Sequence, residues 1–276
     1  MAGSDAPDLV TTRTTEGVAV LTLNRPDEAN AMTQPLWEAV HAAVCAAAAD
    51  EAARVIVLTG AGKAFCAGAD MKRLAGFARG EPMDVPETRP DPPVPGALDL
   101  PPGYDDRWSW LARVPKPIVA AINGPAVGSG FALAMFCDVR FAAAEAKLST
   151  GFARMGLIGE MGLPWLLARI AGPHVAADLL FSARFVDGAE AERLGLVNNA
   201  VSGGGTLAAA EDYARSLAAS TEPESLAVMK RQIYRGLVQS LDEAIDEVYP
   251  AMIESFGWQG FRRRATEIAR KMGALE

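Results

Sequence analysis

Histidine and cysteine, the residues most common in transition-metal sites and disulfides, are scarce in this sequence. Its 276 residues include two histidines and three cysteines, namely His41, His174, Cys45, Cys66 and Cys137. The histidines lie far apart and the cysteines lack metal-ligand spacing, so we expect no metal site. Three cysteines in apolar or small-residue surroundings do not make a disulfide framework, so we expect reduced thiols and a cytoplasmic location.

The sequence also has no excess of positive charge and no long apolar run. The sequence has 26 Lys and Arg against 34 Asp and Glu, which gives a formal net charge of −8. This balance argues against nonspecific binding to nucleic acids, because such binding requires Lys and Arg to neutralise phosphates. No uninterrupted apolar run reaches the length of a membrane-spanning helix, and residues 1–5 lack the pattern of a secretory signal. We therefore expect neither nucleic acid nor membrane as a partner.

The pattern that is present alternates short apolar segments with helical ones, which is typical of an α/β fold. Residues 8–24 predict two strands around a turn at 15–17. Thr33 predicts the N-cap of a helix that has Pro35 in its first turn and ends near Ala49. Further strands are predicted at Val55–Thr59, Ile118–Ile122, Val139–Ala142 and Lys147–Ser149. Strands this apolar indicate a sheet that helices cover on both faces.

Residues 82–102 differ from their surroundings because they hold eight of the 18 prolines. Such a segment sustains neither a helix nor a central strand, and it predicts an exposed loop that is either a lid or a tolerated insertion. A helix with two tryptophans is predicted around 105–113. The glycine run at 203–205 divides a core, 1–202, from a helical subdomain, 203–276, with helices near 206–219, 223–236 and 241–256.

Two glycine-rich turns carry the main functional signal. The segment from Asn123 to Met135 follows an apolar strand and leads into a helix, and the segment from Lys63 to Lys72 has the same organisation. Glycine lets the backbone approach a ligand closely, and the N-terminus of a helix presents unpaired N–H groups to it. One such turn is most often plain architecture. Two of them can aim one N–H each at a single carbonyl oxygen.

With these turns the sequence resembles the crotonase family, also called the enoyl-CoA hydratase/isomerase superfamily. The matching motifs are Asn24-Arg25-Pro26, Asn30-Ala31-Met32, Phe65 to Asp70, Lys116 to Gly124, Gly128-Ser129-Gly130 and Cys137-Asp138. The resemblance covers roughly residues 8–200. It implies an α/β spiral of β-β-α turns with a C-terminal helical subdomain. It also implies an acyl-CoA thioester as substrate, no cofactor beyond its CoA moiety, and a homotrimer or hexamer.

The resemblance implies roles for particular residues. The backbone N–H groups of Ala69 and Ser129 would form an oxyanion hole that holds the thioester oxygen and stabilises the enolate. The main chain of Asn30, Ala31, Met32 and Gly68 would hold the adenine and pantetheine of CoA, and Lys72 would reach a phosphate.

The sequence departs from the family at the two glutamates of a hydratase. One glutamate should stand two residues after Gly130, where this sequence has Ala132, and the other aligns with Phe152. Neither side chain can accept or donate a proton. The standard two-glutamate hydration mechanism is therefore not supported.

One acid remains in a suitable place. Glu160 precedes the apolar helix predicted from Leu163 to Ile170, and no charged residue lies within several positions of it. Apolar surroundings disfavour the ionised form of a carboxyl group, which suits general acid–base work. Isomerisation of an enoyl-CoA needs one such group, so we favour it over hydration. Thioester hydrolysis, a noncatalytic acyl-CoA-binding role, and a helix-capping role for Glu160 are the alternatives.

Overall fold

A computed structural model describes residues 8–82, 89 and 91–273. Its strands are β1 (Val10–Thr15), β2 (Val18–Leu23), β3 (Val55–Gly60), β4 (Ile118–Ile122), β5 (Ala126–Val127), β6 (Val139–Ala143), β7 (Lys147–Ser149), β8 (Val186–Asp187) and β9 (Asn199–Val201). Its helices are α1 (Gln34–Ala49), α2 (Met71–Ala78), α3 (Ser129–Met135), α4 (Leu163–Ile170), α5 (Gly172–Ser182), α6 (Gly188–Arg193), α7 (Thr206–Ser220), α8 (Pro223–Gly236), α9 (Leu241–Ser255) and α10 (Gln259–Lys271).

The central sheet has the strand order β1-β2-β3-β4-β6-β9. The hairpin β1-β2 is antiparallel and the other neighbours are parallel. Alternate residues of each strand point to opposite faces. Ile56 and Leu58 of β3 pack in the core cluster that contains α1, whereas Val55 and Val57 pack with α7. The prediction of a sheet covered on both faces is therefore confirmed.

Strand β4 is followed by β5, which belongs to the smaller sheet β5-β7-β8, and then by α3. The predicted strands are all present, some one residue longer than expected. The predicted cap of α1 is present as well, since the Thr33 side chain accepts a hydrogen bond from the Leu36 N–H at 3.3 Å. These elements follow from local signals, namely β-branched runs and a Thr-x-Pro helix start.

The helix predicted around 105–113 is wrong in extent. Only a short 3₁₀ helix forms, at Ser109–Arg113. The Ser109 hydroxyl accepts a hydrogen bond from the Asp106 N–H at 3.2 Å and lies 2.7 Å from the Asp106 carbonyl oxygen. Arg107 has a φ of +23°, outside the helical region. A local side-chain bond therefore replaces the expected first helical turn.

Helices α7 to α10 form the C-terminal part of the chain, and α10 was not among the predicted helices. Three alanines of α7 are buried against the sheet, namely Ala210, Ala214 and Ala218. Helix α9 packs against α8, and α10 is linked to the N-cap of α8 because Arg263 and Arg264 both pair with Glu222. The division into a core and a helical subdomain after residue 202 stays a prediction.

Helix α8 is held to the core by Asp138. Its carboxylate accepts hydrogen bonds from the Ile118 N–H and the Lys230 ammonium, both at 2.7 Å, and from the Tyr234 hydroxyl at 2.8 Å. Lys230 is buried and also donates to the Leu111 carbonyl oxygen at 3.0 Å. Asp138 therefore has a structural role at the start of β6.

The proline-rich segment is described only in part, since residues 83–88 and 90 lie outside the described residues. Within 91–101, Val94 and Leu100 are buried. Both interpretations of this segment, a lid and a tolerated insertion, stay predictions.

Candidate active site

The two glycine-rich turns lie side by side and in register. Cys66 and Ala126 form a parallel β-bridge, in which the Cys66 N–H donates to the Pro125 carbonyl oxygen at 3.1 Å. The Val127 N–H donates in turn to the Cys66 carbonyl oxygen at 3.0 Å. Three residues beyond the bridge, the two segments reach Ala69 and Ser129. The structure therefore brings together the two residues that the sequence predicted as a pair.

The absence of side chains makes this close approach possible. Gly68 has a φ of +99°, and a Cβ atom there would lie 2.8 Å from the Val127 carbonyl oxygen. A Cβ atom at Gly130 would lie 2.1 Å from the Cys66 carbonyl oxygen. Both distances are far shorter than a van der Waals contact, so these positions require glycine. The glycines thus set the spacing of the two turns.

Ala69 and Ser129 present backbone N–H groups at this junction. Ser129 is the first residue of α3, so its N–H has no acceptor within the helix. On either side of Ala69, the Gly68 carbonyl oxygen accepts from the Met32 N–H at 2.6 Å and the Asp70 N–H donates to the Met32 carbonyl oxygen at 3.3 Å. Within residues 8–82, 89 and 91–273, neither N–H has an acceptor. Two such groups can bind one oxygen that gains negative charge.

Trp108 fixes the Ser129 side chain. The indole Nε1–H donates to the Ser129 Oγ at 3.1 Å, and both residues are buried. The hydroxyl is therefore turned toward the tryptophan. Sequence patterns gave no indication of this pair, because the two residues are 21 positions apart and on different elements.

Arg107 is a second residue that the sequence did not single out. Its carbonyl oxygen accepts from the Trp37 indole N–H at 3.2 Å, and its guanidinium carbon lies 5.6 Å from the Trp37 ring centroid. Burial lowers the pKa of Arg107, and the positive charge of Arg73 lowers it further. The carboxylates of Asp106 and Glu160 act in the opposite direction on this pKa. Arg107 therefore lies within electrostatic reach of the candidate base.

Glu160 is half-buried in the turn before α4. Its carbonyl oxygen accepts from the Leu163 N–H at 3.0 Å. No hydrogen bond or ion pair is formed by its carboxylate with any residue that the structure describes. The N-cap of α4 is Gly162, with no side-chain capping bond. Glu160 therefore forms no capping hydrogen bond to α4, and its interaction with the dipole of this helix stays a prediction.

The positions aligned with the hydratase glutamates hold packing residues. Ala132 is buried in the first turn of α3, and Phe152 is buried just after β7. The Cys66 and Cys137 thiols are also buried, which raises the pKa of each to about 12. Neither cysteine offers a thiolate nucleophile near neutral pH.

The residues expected at CoA lie beside the junction. The Asn30 amide donates to the carbonyl oxygens of Ala61 at 3.0 Å and Ala64 at 2.8 Å, which makes its side chain structural. Met32 forms a β-bridge with Ala69, so Asn30, Ala31 and Met32 run alongside the Gly68 turn. These three residues are buried beside the junction, and their role in binding CoA stays a prediction.

Asp70 and Lys72 lie at the start of helix α2, next to this segment. The Asp70 carboxylate accepts from the Lys72 N–H at 2.9 Å, which caps the helix. This hydrogen bond, more than the charge of Arg25, lowers the pKa of Asp70. The Lys72 side chain is exposed, as a contact to a phosphate would require.

In the described part of the chain, no three His, Cys, Asp or Glu residues are placed to hold a metal ion. No helix within the described ranges is both long and apolar enough to cross a membrane.

Comparison with known proteins decides the family. The profile described as enoyl-CoA hydratase/isomerase matches residues 13–256. The chain belongs to the enoyl-CoA hydratase/isomerase family. Its α/β architecture is the crotonase fold, and its relatives carry both hydratase and isomerase names.

Among these relatives is a probable enoyl-CoA hydratase of Rhizobium meliloti, 35% identical over 232 residues that cover 83% of this chain and 82% of that protein. The 1,2-epoxyphenylacetyl-CoA isomerase of Escherichia coli is 32% identical over 232 residues, 84% of each chain. A solved structure of a monofunctional enoyl-CoA isomerase from M. smegmatis is 30% identical, with a TM-score of 0.67, and the match covers 87% of this chain and 99% of that one.

Proposed function

We propose that this member of the family isomerises the double bond of an enoyl-CoA, with Glu160 as its acid–base group. The observation that carries the proposal is the half-buried Glu160 carboxylate, which has no partner among the described residues. No acid stands at 132 or 152, where the hydratase glutamates would align. A single base is what isomerisation requires, whereas hydration requires a second group to activate water.

The reaction begins with the thioester oxygen between the N–H groups of Ala69 and Ser129. Glu160 removes a proton from C2 of a 3-enoyl thioester, and the electron pair moves onto the oxygen to give a dienolate. The two N–H groups stabilise this negative charge, and each such donor contributes roughly a factor of 100 to 1000 in rate. The protonated Glu160 returns the proton at C4, which gives the 2-enoyl thioester.

The substrate in this proposal is an acyl-CoA held mainly by the main chain. Asn30, Ala31, Met32 and Gly68 supply backbone groups for the adenine and pantetheine, and exposed Lys72 supplies charge for a phosphate. The β-bridge between Met32 and Ala69 supports this arrangement, because it holds Met32 beside the junction. No cofactor besides the CoA moiety is part of the proposal.

The test is turnover of a 3-enoyl-CoA and a 2-enoyl-CoA by the wild type and by Glu160→Gln. Absorbance of the conjugated thioester reports isomerisation, and mass spectrometry reports added water. We expect the wild type to convert the 3-enoyl ester without adding water, and Glu160→Gln to lose about 10²- to 10⁴-fold in kcat. Exposed Glu145 gives the matched control, Glu145→Gln, which should keep wild-type turnover.

Other outcomes discriminate the alternatives. Hydration that survives Glu160→Gln would place the catalytic acid elsewhere. Release of free CoA that depends on Glu160 would indicate a thioester hydrolase. Binding of CoA esters without any turnover would indicate a noncatalytic acyl-CoA-binding protein.

The proposal includes a homotrimer or hexamer in the cytoplasm. Apolar side chains of α9 are exposed in the single chain, among them Ile245, Val248, Met252 and Ile253. An apolar face of this kind is typical of a surface that a second subunit covers. The three free cysteines support a reducing compartment. Light scattering after size-exclusion chromatography measures the assembly, and a monomeric mass would contradict it.

A further inference from the structure

A cavity lies beyond the candidate base. Its volume is ≈ 260 Å³, and its walls include Tyr104, Ser109, Phe136, Met161, Trp165 and Val238. Tyr104 precedes the 3₁₀ helix that Ser109 begins, and Phe136 follows α3. Met161 precedes α4, Trp165 lies within it, and Val238 follows α8.

The walls of this cavity continue directly from the residues of the candidate active site. Met161 follows Glu160 in the chain. Ser109 follows Trp108, whose indole holds the Ser129 hydroxyl. Phe136 is the C-cap of α3, the helix that Ser129 begins. Seven residues of helix separate Ser129 from Phe136, which corresponds to about 10 Å. The cavity therefore extends away from the oxyanion junction by the length of a short acyl chain.

The cavity offers mainly apolar surface. The rings of Tyr104 and Trp165 meet edge to face, with centroids 6.1 Å apart at 84°. The Tyr104 hydroxyl donates to the Tyr234 carbonyl oxygen at 2.8 Å, and the Ser109 hydroxyl bonds to neighbouring main chain. The polar atoms of these two walls are thus already satisfied. A ligand in the cavity would therefore meet aromatic and aliphatic surface at these walls.

We propose that this cavity receives the distal part of the acyl group, so that the preferred substrates are thioesters with a medium-length or aryl-bearing acyl chain. This inference rests on the proposed function, because it places the thioester oxygen between Ala69 and Ser129. The volume suits the proposal. An apolar protein cavity of about 150 Å³ binds benzene, and this cavity is larger. A four-carbon acyl group would leave most of it empty.

Binding of saturated thioesters tests the cavity separately from catalysis, because these ligands cannot react. Titration calorimetry would compare butanoyl-, octanoyl-, dodecanoyl- and 4-phenylbutanoyl-CoA on the full-length wild-type protein. We expect affinity to rise about fourfold per methylene from four to eight carbons and then to level off, because each buried methylene contributes about 0.8 kcal/mol. We expect 4-phenylbutanoyl-CoA to bind at least as tightly as octanoyl-CoA. Equal affinity for all four esters would overturn the proposal.

A substitution at the edge of the cavity supplies the second arm. Val238 is 49% exposed and lines the cavity, whereas Thr12, a β-branched residue of similar size, is exposed on β1. Val238→Trp should weaken octanoyl-CoA binding about tenfold or more and leave butanoyl-CoA unchanged, and Thr12→Trp should change neither. Equal weakening of both esters by Val238→Trp, or no weakening, would contradict the assignment. Glu160→Gln should keep the dependence of binding affinity on acyl-chain length. Its loss of turnover therefore tests the catalytic proposal alone.

Discussion

The indole N–H of Trp108 donates a hydrogen bond to the hydroxyl of Ser129, whose own backbone N–H is one of the two at the junction. A side chain from one segment thereby orients the first residue of α3. Both partners are buried, so water cannot replace either of them in this bond.

Trp108→Phe should lower kcat about fivefold with little change in KM, because the loss of about 1 kcal/mol of hydrogen bonding leaves Ser129 less well held. Steady-state kinetics with the enoyl-CoA measures this effect. Trp110→Phe is the matched control, since the buried Trp110 Nε1 has no acceptor among the described residues. An equal fall of kcat in both variants would mean that ring packing, rather than the hydrogen bond, is responsible.

Ser129→Ala removes the acceptor from the same bond and leaves the Trp108 indole buried without a partner. We expect the free energy of unfolding to fall by about 1–3 kcal/mol, as measured by urea denaturation. In the double variant with Trp108→Phe the two losses should not add, because they concern one bond. Additive losses would show that the hydrogen bond contributes little.

Gly130→Ala should separate the two turns. Its Cβ would lie 2.1 Å from the Cys66 carbonyl oxygen, so one backbone segment must move. We expect a loss of about 3 kcal/mol or more in stability, and loss of turnover in whatever folded protein remains. At Gly103 a Cβ meets no atom within 4 Å, so Gly103→Ala is the control. A Gly130→Ala protein with normal Tm and kcat would refute the close approach.

Lys230→Met should destabilise the protein by about 3–5 kcal/mol, because it leaves the Asp138 carboxylate without its buried cation. Chemical denaturation measures this loss. The exposed pair Arg79–Glu81 serves for comparison, and Arg79→Met should cost less than about 1 kcal/mol. Similar losses in the two variants would contradict the role of Asp138 in holding α8.

Glu222 predicts a pH dependence of stability. Hydrogen bonds from Arg263, and then from Arg264, hold the pKa of this carboxyl below its ordinary value of 4.5. The folded form therefore binds the proton less readily than the unfolded form, so the contribution to stability is complete above pH 4.5. It is lost as the pH falls through the lowered pKa. Wild type should exceed Glu222→Gln in urea midpoint at pH 7, and the difference should shrink near pH 3. A constant difference would contradict the linkage.

The parts of the molecule that were predictable depend on nearby residues. The strand β3, the Thr33 cap and the two glycine turns each carry a local signal, and the structure has them where the sequence indicated. The register of the two turns, with Cys66 opposite Ala126, is not written in either segment alone. Only the pairing of Ala69 with Ser129 was expected, and that expectation came from the resemblance to a family.

The predictions from sequence fail where contacts between distant parts of the chain determine the local structure. A helix was predicted around 105–113, yet a hydrogen bond to the Ser109 hydroxyl and the positive φ of Arg107 replace its first turn. Helix α10 was missed, and its arginines act through Glu222, far away in sequence. Arg107 contacts Trp37, and Trp108 donates a hydrogen bond to Ser129. No periodicity of the sequence connects the members of either pair.

The junction of the two turns consists of main-chain atoms, so its capacity to bind an oxygen is encoded by the path of the backbone. Side chains around it can change without removing that capacity, provided that Gly68 and Gly130 remain. In the proposed reaction, the junction therefore holds the enolate whichever position, 132, 152 or 160, supplies the acid. Substitutions around a fixed backbone thus give this architecture a route to new reactions on an unchanged thioester.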